Sequence, residues 1–143
     1  MIMKKTAVIY WSGTGNTEAM AQAVLAGMQE AGADAALYTT AEVTPALFDD
    51  LTGVAFGCPA MGAEVLEEMD FQPMWDEAKG FLGGKNVALF GSYGWGDGEW
   101  MRTWEDTCRS DGAVLACESI ICCEAPDDDA LAQCKKLGAS LAG

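Results

Sequence analysis

A chain of 143 residues, half of them apolar, suits one domain with a buried sheet and leaves little room for two. Its formal charge is −14, and the interval between Lys5 and Lys79 holds twelve Asp and Glu without a single Lys or Arg. Such a surface excludes nucleic acid and anionic membranes as partners and favours a basic protein.

No apolar run is long enough to cross a bilayer, and residues 1–5 lead straight into a strand without a leader, so a cytoplasmic location is expected. The six cysteines (Cys58, Cys108, Cys117, Cys122, Cys123, Cys134) contain no C-x-x-C pair, and there is no His. They read as reduced thiols, several of them in the core, and no metal is expected.

In chain order, 6–11 is a short β-branched and aromatic run and predicts a strand. A helix follows over 17–31, with Met20, Val24, Met28 and Ala31 at helical spacing and Gly32 just past its end. Residues 35–38 form a short strand, 44–51 a short helix entered at Pro45, and 53–57 a buried strand. A helix runs through 73–79, with Phe71, Met74, Trp75 and Ala78 on one face.

Residues 86–90 make the next strand, ending at Gly91, and 98–109 a helix that turns Trp100, Met101, Trp104 and Cys108 inward. The apolar stretch 113–123 is a strand interrupted at Glu118 and Ser119, and 127–141 closes the chain as a helix with acids at its positive end. Strand and helix thus alternate five times, the order of a parallel sheet covered by helices on both faces. Ligands of such sheets bind beyond the carboxyl ends of the strands.

Three loops at those ends are chemically unusual. Ser12-Gly13-Thr14-Gly15-Asn16-Thr17 joins a strand to a helix N-terminus, where free N–H groups and the helix dipole attract anions. Its donors are neutral, so a phosphate monoester held by N–H and O–H groups fits it. Neither the dinucleotide fingerprint nor the Walker A spacing fits. The second loop, 58–64, carries Met61, a soft cover for a flat ring, and Glu64, an acceptor for a ring N–H. The third, 92–98, displays Tyr93 and Trp95 among glycines, as stacking on a planar ligand requires.

Together, SGTGNT at 12–17, AMGAEVLEE at 60–68 and ALFGSYGWGDGEWM at 88–101 resemble the three flavin loops of flavodoxins, the short-chain clostridial type above all. The resemblance covers nearly the whole chain. It implies a flavodoxin-like α/β fold over 1–143, a five-stranded parallel sheet in the order 2-1-3-4-5, and non-covalently bound FMN. It also implies that Ser12, Thr14, Asn16, Thr17 and Ser92, with N–H groups of Gly13 to Thr17, bind the phosphate. Trp95 would stack on one face of the isoalloxazine and Met61 on the other, with Glu64 at the ring N(3)–H. Ala60, Tyr93, Gly94 and Gly96 complete the cofactor contacts, and no residue is catalytic.

Relatives cycle between semiquinone and hydroquinone, with the carbonyl of Gly62 turning toward the flavin N(5). Many carry Asp, Asn or Gly after that glycine where this chain has Ala63. A four-residue turn over 61–64 then needs positive φ at Ala63 in one orientation and at Gly62 in the other, which favours the second.

The implied function is a low-potential one-electron carrier, monomeric, serving basic redox partners. An FMN-dependent NAD(P)H quinone or azo reductase shares the fold, but no cation near the three loops could receive a nicotinamide phosphate. A phospho-acceptor domain would need acids where Tyr10, Trp11 and Ser12 stand.

Overall fold

The computed structural model describes residues 5–13, 15–61, 66–94 and 98–142. Its strands are β1 (Lys5–Tyr10), β2 (Asp34–Thr39), β3 (Gly53–Gly57), β4 (Asn86–Tyr93), β5 (Val114–Leu115) and β6 (Ile120–Cys123). The helices are α1 (Asn16–Glu30), α2 (Phe71–Ala78), α3 (Glu99–Ser110) and α4 (Asp128–Ala142). All strand pairs are parallel, in the order β2-β1-β3-β4-β5, and β6 also pairs with β4. The expected order and helix-covered faces are those observed.

Period-two alternation sorts each strand between two cores. Ala7, Ile9, Val54, Phe56, Val87 and Leu89 face α2 and α3. There the rings of Phe56, Trp75, Trp104 and Phe71 meet edge to face, with centroids 5.0–5.5 Å apart, the geometry preferred by the ring quadrupoles. Val8, Ala55, Ala88 and Phe90 face α1 and α4. Those two helices touch through backbone: a Cβ on Gly27 would lie 2.0 Å from the Lys135 carbonyl oxygen, and one on Gly138 2.1 Å from that of Val24. Helix α1 ends in a Schellman turn, with Gly32 at φ 91° and bonds from Gly32 N–H to the Gln29 carbonyl and from Ala33 N–H to that of Met28.

Two elements differ from expectation. The 44–51 helix is a 3₁₀ turn, Pro45–Asp49, in which Phe48 alone is buried; one apolar anchor just before β3 does not sustain a longer helix. Strand β4 runs past Gly91 to Tyr93, because β6 extends its ladder from Phe90 to Tyr93. The last sheet position is split between β5 and β6 as expected from Glu118 and Ser119, and in the break Ser119 donates a hydrogen bond to the Glu105 carboxylate on α3 (2.7 Å).

Candidate cofactor site

Because every strand runs the same way, the segments after β1, β3, β4 and β6 share one edge, and between β1 and β3 the strand order reverses direction. A cavity of about 550 Å³ opens there, in the size range of small-molecule sites. Trp11, Gly13 and Asn16 line it from the first segment, Pro59, Ala60 and Met61 from the second, Ser92, Tyr93 and Gly94 from the third, and Glu124 and Ala125 from the fourth.

The first segment is built by Ser12. Its Oγ accepts the N–H groups of Gly15 (3.1 Å) and Glu18 (3.3 Å), so both lone pairs are engaged and its own proton remains to donate. Gly15 sits at φ 94°, which an L-residue adopts only with strain. The N–H groups of Asn16 and Thr17, at the first two positions of α1, have no acceptor within the helix. Thr17 is buried, and its Oγ1 has no hydrogen-bond partner among the described residues. Gly13 is a glycine for another reason: a Cβ there would lie 3.0 Å from the Trp11 ring. The Trp11 indole in turn donates to Asp70 (3.4 Å).

The bases of the second and third segments are locked together at Cys58. Its carbonyl accepts the Trp100 indole N–H (3.2 Å), and a Cβ on Gly91 would fall 2.2 Å from that oxygen. Its Sγ accepts the Glu67 N–H (3.4 Å). Glu67 then caps α2: its buried carboxylate accepts from the N–H groups of Met69 (2.9 Å), Asp70 (2.7 Å) and Phe71 (2.8 Å). Burial works to raise its pKa, but these three bonds outweigh it and leave it below the usual carboxylate range. Burial pushes the Cys58 thiol up to about 12, so Cys58 is a packing and hydrogen-bonding group and no nucleophile.

The fourth segment leaves β6 through Glu124, the one non-glycine among the described residues with positive φ (58°). Its N–H donates to the Tyr93 carbonyl (2.7 Å), and its own carbonyl accepts the Ser92 hydroxyl (2.6 Å).

Of the residues singled out from sequence, Gly13, Asn16, Ala60, Met61, Ser92, Tyr93 and Gly94 line the cavity, and Ser12, Gly15 and Thr17 build the loop beside it. Thr14, Gly62, Ala63, Glu64, Trp95 and Gly96 lie outside the described residues. Trp11, Pro59, Glu124 and Ala125 were missed. The signal for the last two was the parallel order itself, which carries the loop after the final strand to the same edge.

These donors fit FMN. An orphaned hydroxyl and open N–H groups at a helix start suit a phosphate, and a cavity walled by Pro59, Ala60, Met61 and Tyr93 suits a flat ring. No Lys or Arg is among the described residues that line the cavity.

A doubly wound sheet with a polar loop and a helix start at its switch point is the arrangement of a flavin-binding α/β domain of the flavodoxin type. The family description "Flavodoxin" matches residues 8–138. The chain is 43% identical over 138 residues to a flavodoxin of Clostridium beijerinckii, covering 94% of this chain and 97% of the relative. It is 42% identical over 137 residues to one of Megasphaera elsdenii, covering 94% and 96%. The solution structure of two-electron reduced Megasphaera elsdenii flavodoxin superposes with a TM-score of 0.88 at 40% identity, over 96% of this chain and 98% of that one.

The chain belongs to the flavodoxin family. It is an FMN-binding electron carrier that works with oxidoreductase partners, and not an enzyme; nothing in these likenesses supports the NAD(P)H reductase.

Proposed function

We propose that this chain passes one electron at a time, at low potential, between oxidoreductases with basic docking faces. In this reading it is a monomer of one domain, residues 1–143, in the cytoplasm. FMN supplies the electron-accepting ring. Ser12, Asn16 and Thr17 donate to its phosphate together with N–H groups of the 13–17 loop, and Thr14 joins them by family resemblance. By the same resemblance Met61 and Trp95 cover the two ring faces, and Glu64 takes the ring N(3)–H.

The observation that carries the reading is the buried Thr17 hydroxyl in the first turn of α1, without a partner among the described residues and beside Asn16 at the cavity wall. A buried hydroxyl without an acceptor is costly unless a ligand completes it. Low potential is supported by charge: a chain at −14 disfavours added electrons on a ring within it. The same field steers basic partners. Six free cysteines, three of them buried, suit a reducing compartment.

Ionic strength tests the partner. The bimolecular rate of electron transfer to a basic redox protein should fall steeply as salt rises, because the Debye length shrinks from ~30 Å at 0.01 M to ~10 Å at 0.1 M. A rate indifferent to salt would remove the basic-partner reading.

A further inference from the structure

A serine hydroxyl has one proton. At Ser12 that proton is free, because two backbone N–H groups occupy its lone pairs. At Ser92 the reverse holds: the buried hydroxyl spends its proton on the Glu124 carbonyl, 2.6 Å away. The Cys122 thiol also reaches that carbonyl, but only at 3.6 Å, so Ser92 is its principal donor.

The pairing is built in. Glu124 holds a left-handed conformation that a bulky L-residue adopts at a cost, and such a conformation persists where its surroundings over-determine it. Here the two short bonds to Ser92 and Tyr93 fix it, and both Ser92 and Glu124 line the cavity.

We infer that Glu124 is a positioning residue that commits Ser92 to accept rather than donate, so that Ser92 binds a hydroxyl of the ribityl chain and not the phosphate. The inference rests on the reading that the cavity takes FMN, and it divides the site by hydrogen-bond sense. A phosphate needs donors, which the 12–17 loop supplies. The ribityl chain carries secondary hydroxyls, each a donor, and Ser92 offers them an acceptor. To reach a phosphate instead, Ser92 would have to leave the Glu124 carbonyl with only the distant thiol.

Riboflavin separates the two roles, since it keeps the ribityl chain and lacks the phosphate. Binding of FMN and of riboflavin to the apoprotein, followed by quenching of flavin fluorescence, should weaken by one common factor of about 3 to 10 in Ser92→Ala. Loss of FMN affinity alone would make Ser92 a phosphate ligand and overturn the inference. Unchanged affinity for both flavins would overturn it as well. Should Ser92→Ala fail to fold, Ser92→Cys keeps a donor for the Glu124 carbonyl but is a weak acceptor, and the same common factor is expected. A wild-type apoprotein that bound neither flavin would overturn the FMN reading itself, and this inference with it.

Discussion

Replacing Thr17 by Val should move stability and cofactor affinity in opposite directions. The substitution keeps the branched shape and nearly the same helix propensity, and removes a buried oxygen that has no partner among the described residues. A buried hydroxyl without a partner costs about 1–3 kcal/mol. Taking the lower end, the Val apoprotein gains ~1 kcal/mol, which for a domain of this size raises Tm by ~3 °C. On the ligand side, a hydrogen bond to a charged group is worth about 1.5–3 kcal/mol. At ~1.4 kcal/mol per decade, FMN binding should weaken by roughly 10- to 100-fold. Riboflavin has no phosphate and should bind the variant as it binds the wild type. Thermal unfolding of the apoprotein and fluorescence titration with both flavins are the assays. A destabilised apoprotein, or equal losses for FMN and riboflavin, would refute the assignment of this hydroxyl to the phosphate.

Two further substitutions test the scaffold. Glu67→Gln keeps an acceptor but loses the charge that strengthens three bonds at the start of α2, and should cost about 1–2 kcal/mol at pH 7 in urea unfolding. The folded pKa of Glu67 lies below the unfolded value. Its stabilisation is therefore full above the ordinary carboxylate range and is lost as pH falls through the folded pKa, so the gap between variant and wild type should close in acid. Gly27→Ala adds a Cβ 2.0 Å from the Lys135 carbonyl and forces α1 and α4 apart; a loss of about 1–3 kcal/mol is expected despite the better helix propensity of Ala, and a stabilised variant would contradict the close crossing.

Most of the fold was legible because local signals agreed with each other. The buried faces of α2 and α3 are the ones their spacing displays: Phe71, Met74, Trp75 and Ala78, then Trp100, Met101, Trp104 and Cys108. Gly32 announced the end of α1. What the sequence hid was tertiary. Glu118 and Ser119 marked the break in the last strand, but nothing local says that Ser119 will bond Glu105 or that β6 will lengthen β4. Within the site, SGTGNT marked the loop that meets the cavity, because neutral donors at a helix start have a local meaning. Gly13 lines the cavity as expected, and its missing Cβ also makes room for the Trp11 ring, which no local signal showed. Glu124 was invisible: a left-handed glutamate carries no compositional mark, and its role lies in a carbonyl, which every residue has.

The central claim is that this edge of the sheet holds FMN and that neutral donors of the 12–17 loop hold its phosphate. Titration of the apoprotein with FMN and with riboflavin, followed by flavin fluorescence, tests it most directly. Quenching by FMN is expected to reach a sharp endpoint at a single equivalent, with riboflavin bound at least about tenfold more weakly. Equal affinity for the two flavins, or no quenching by FMN at all, would contradict it.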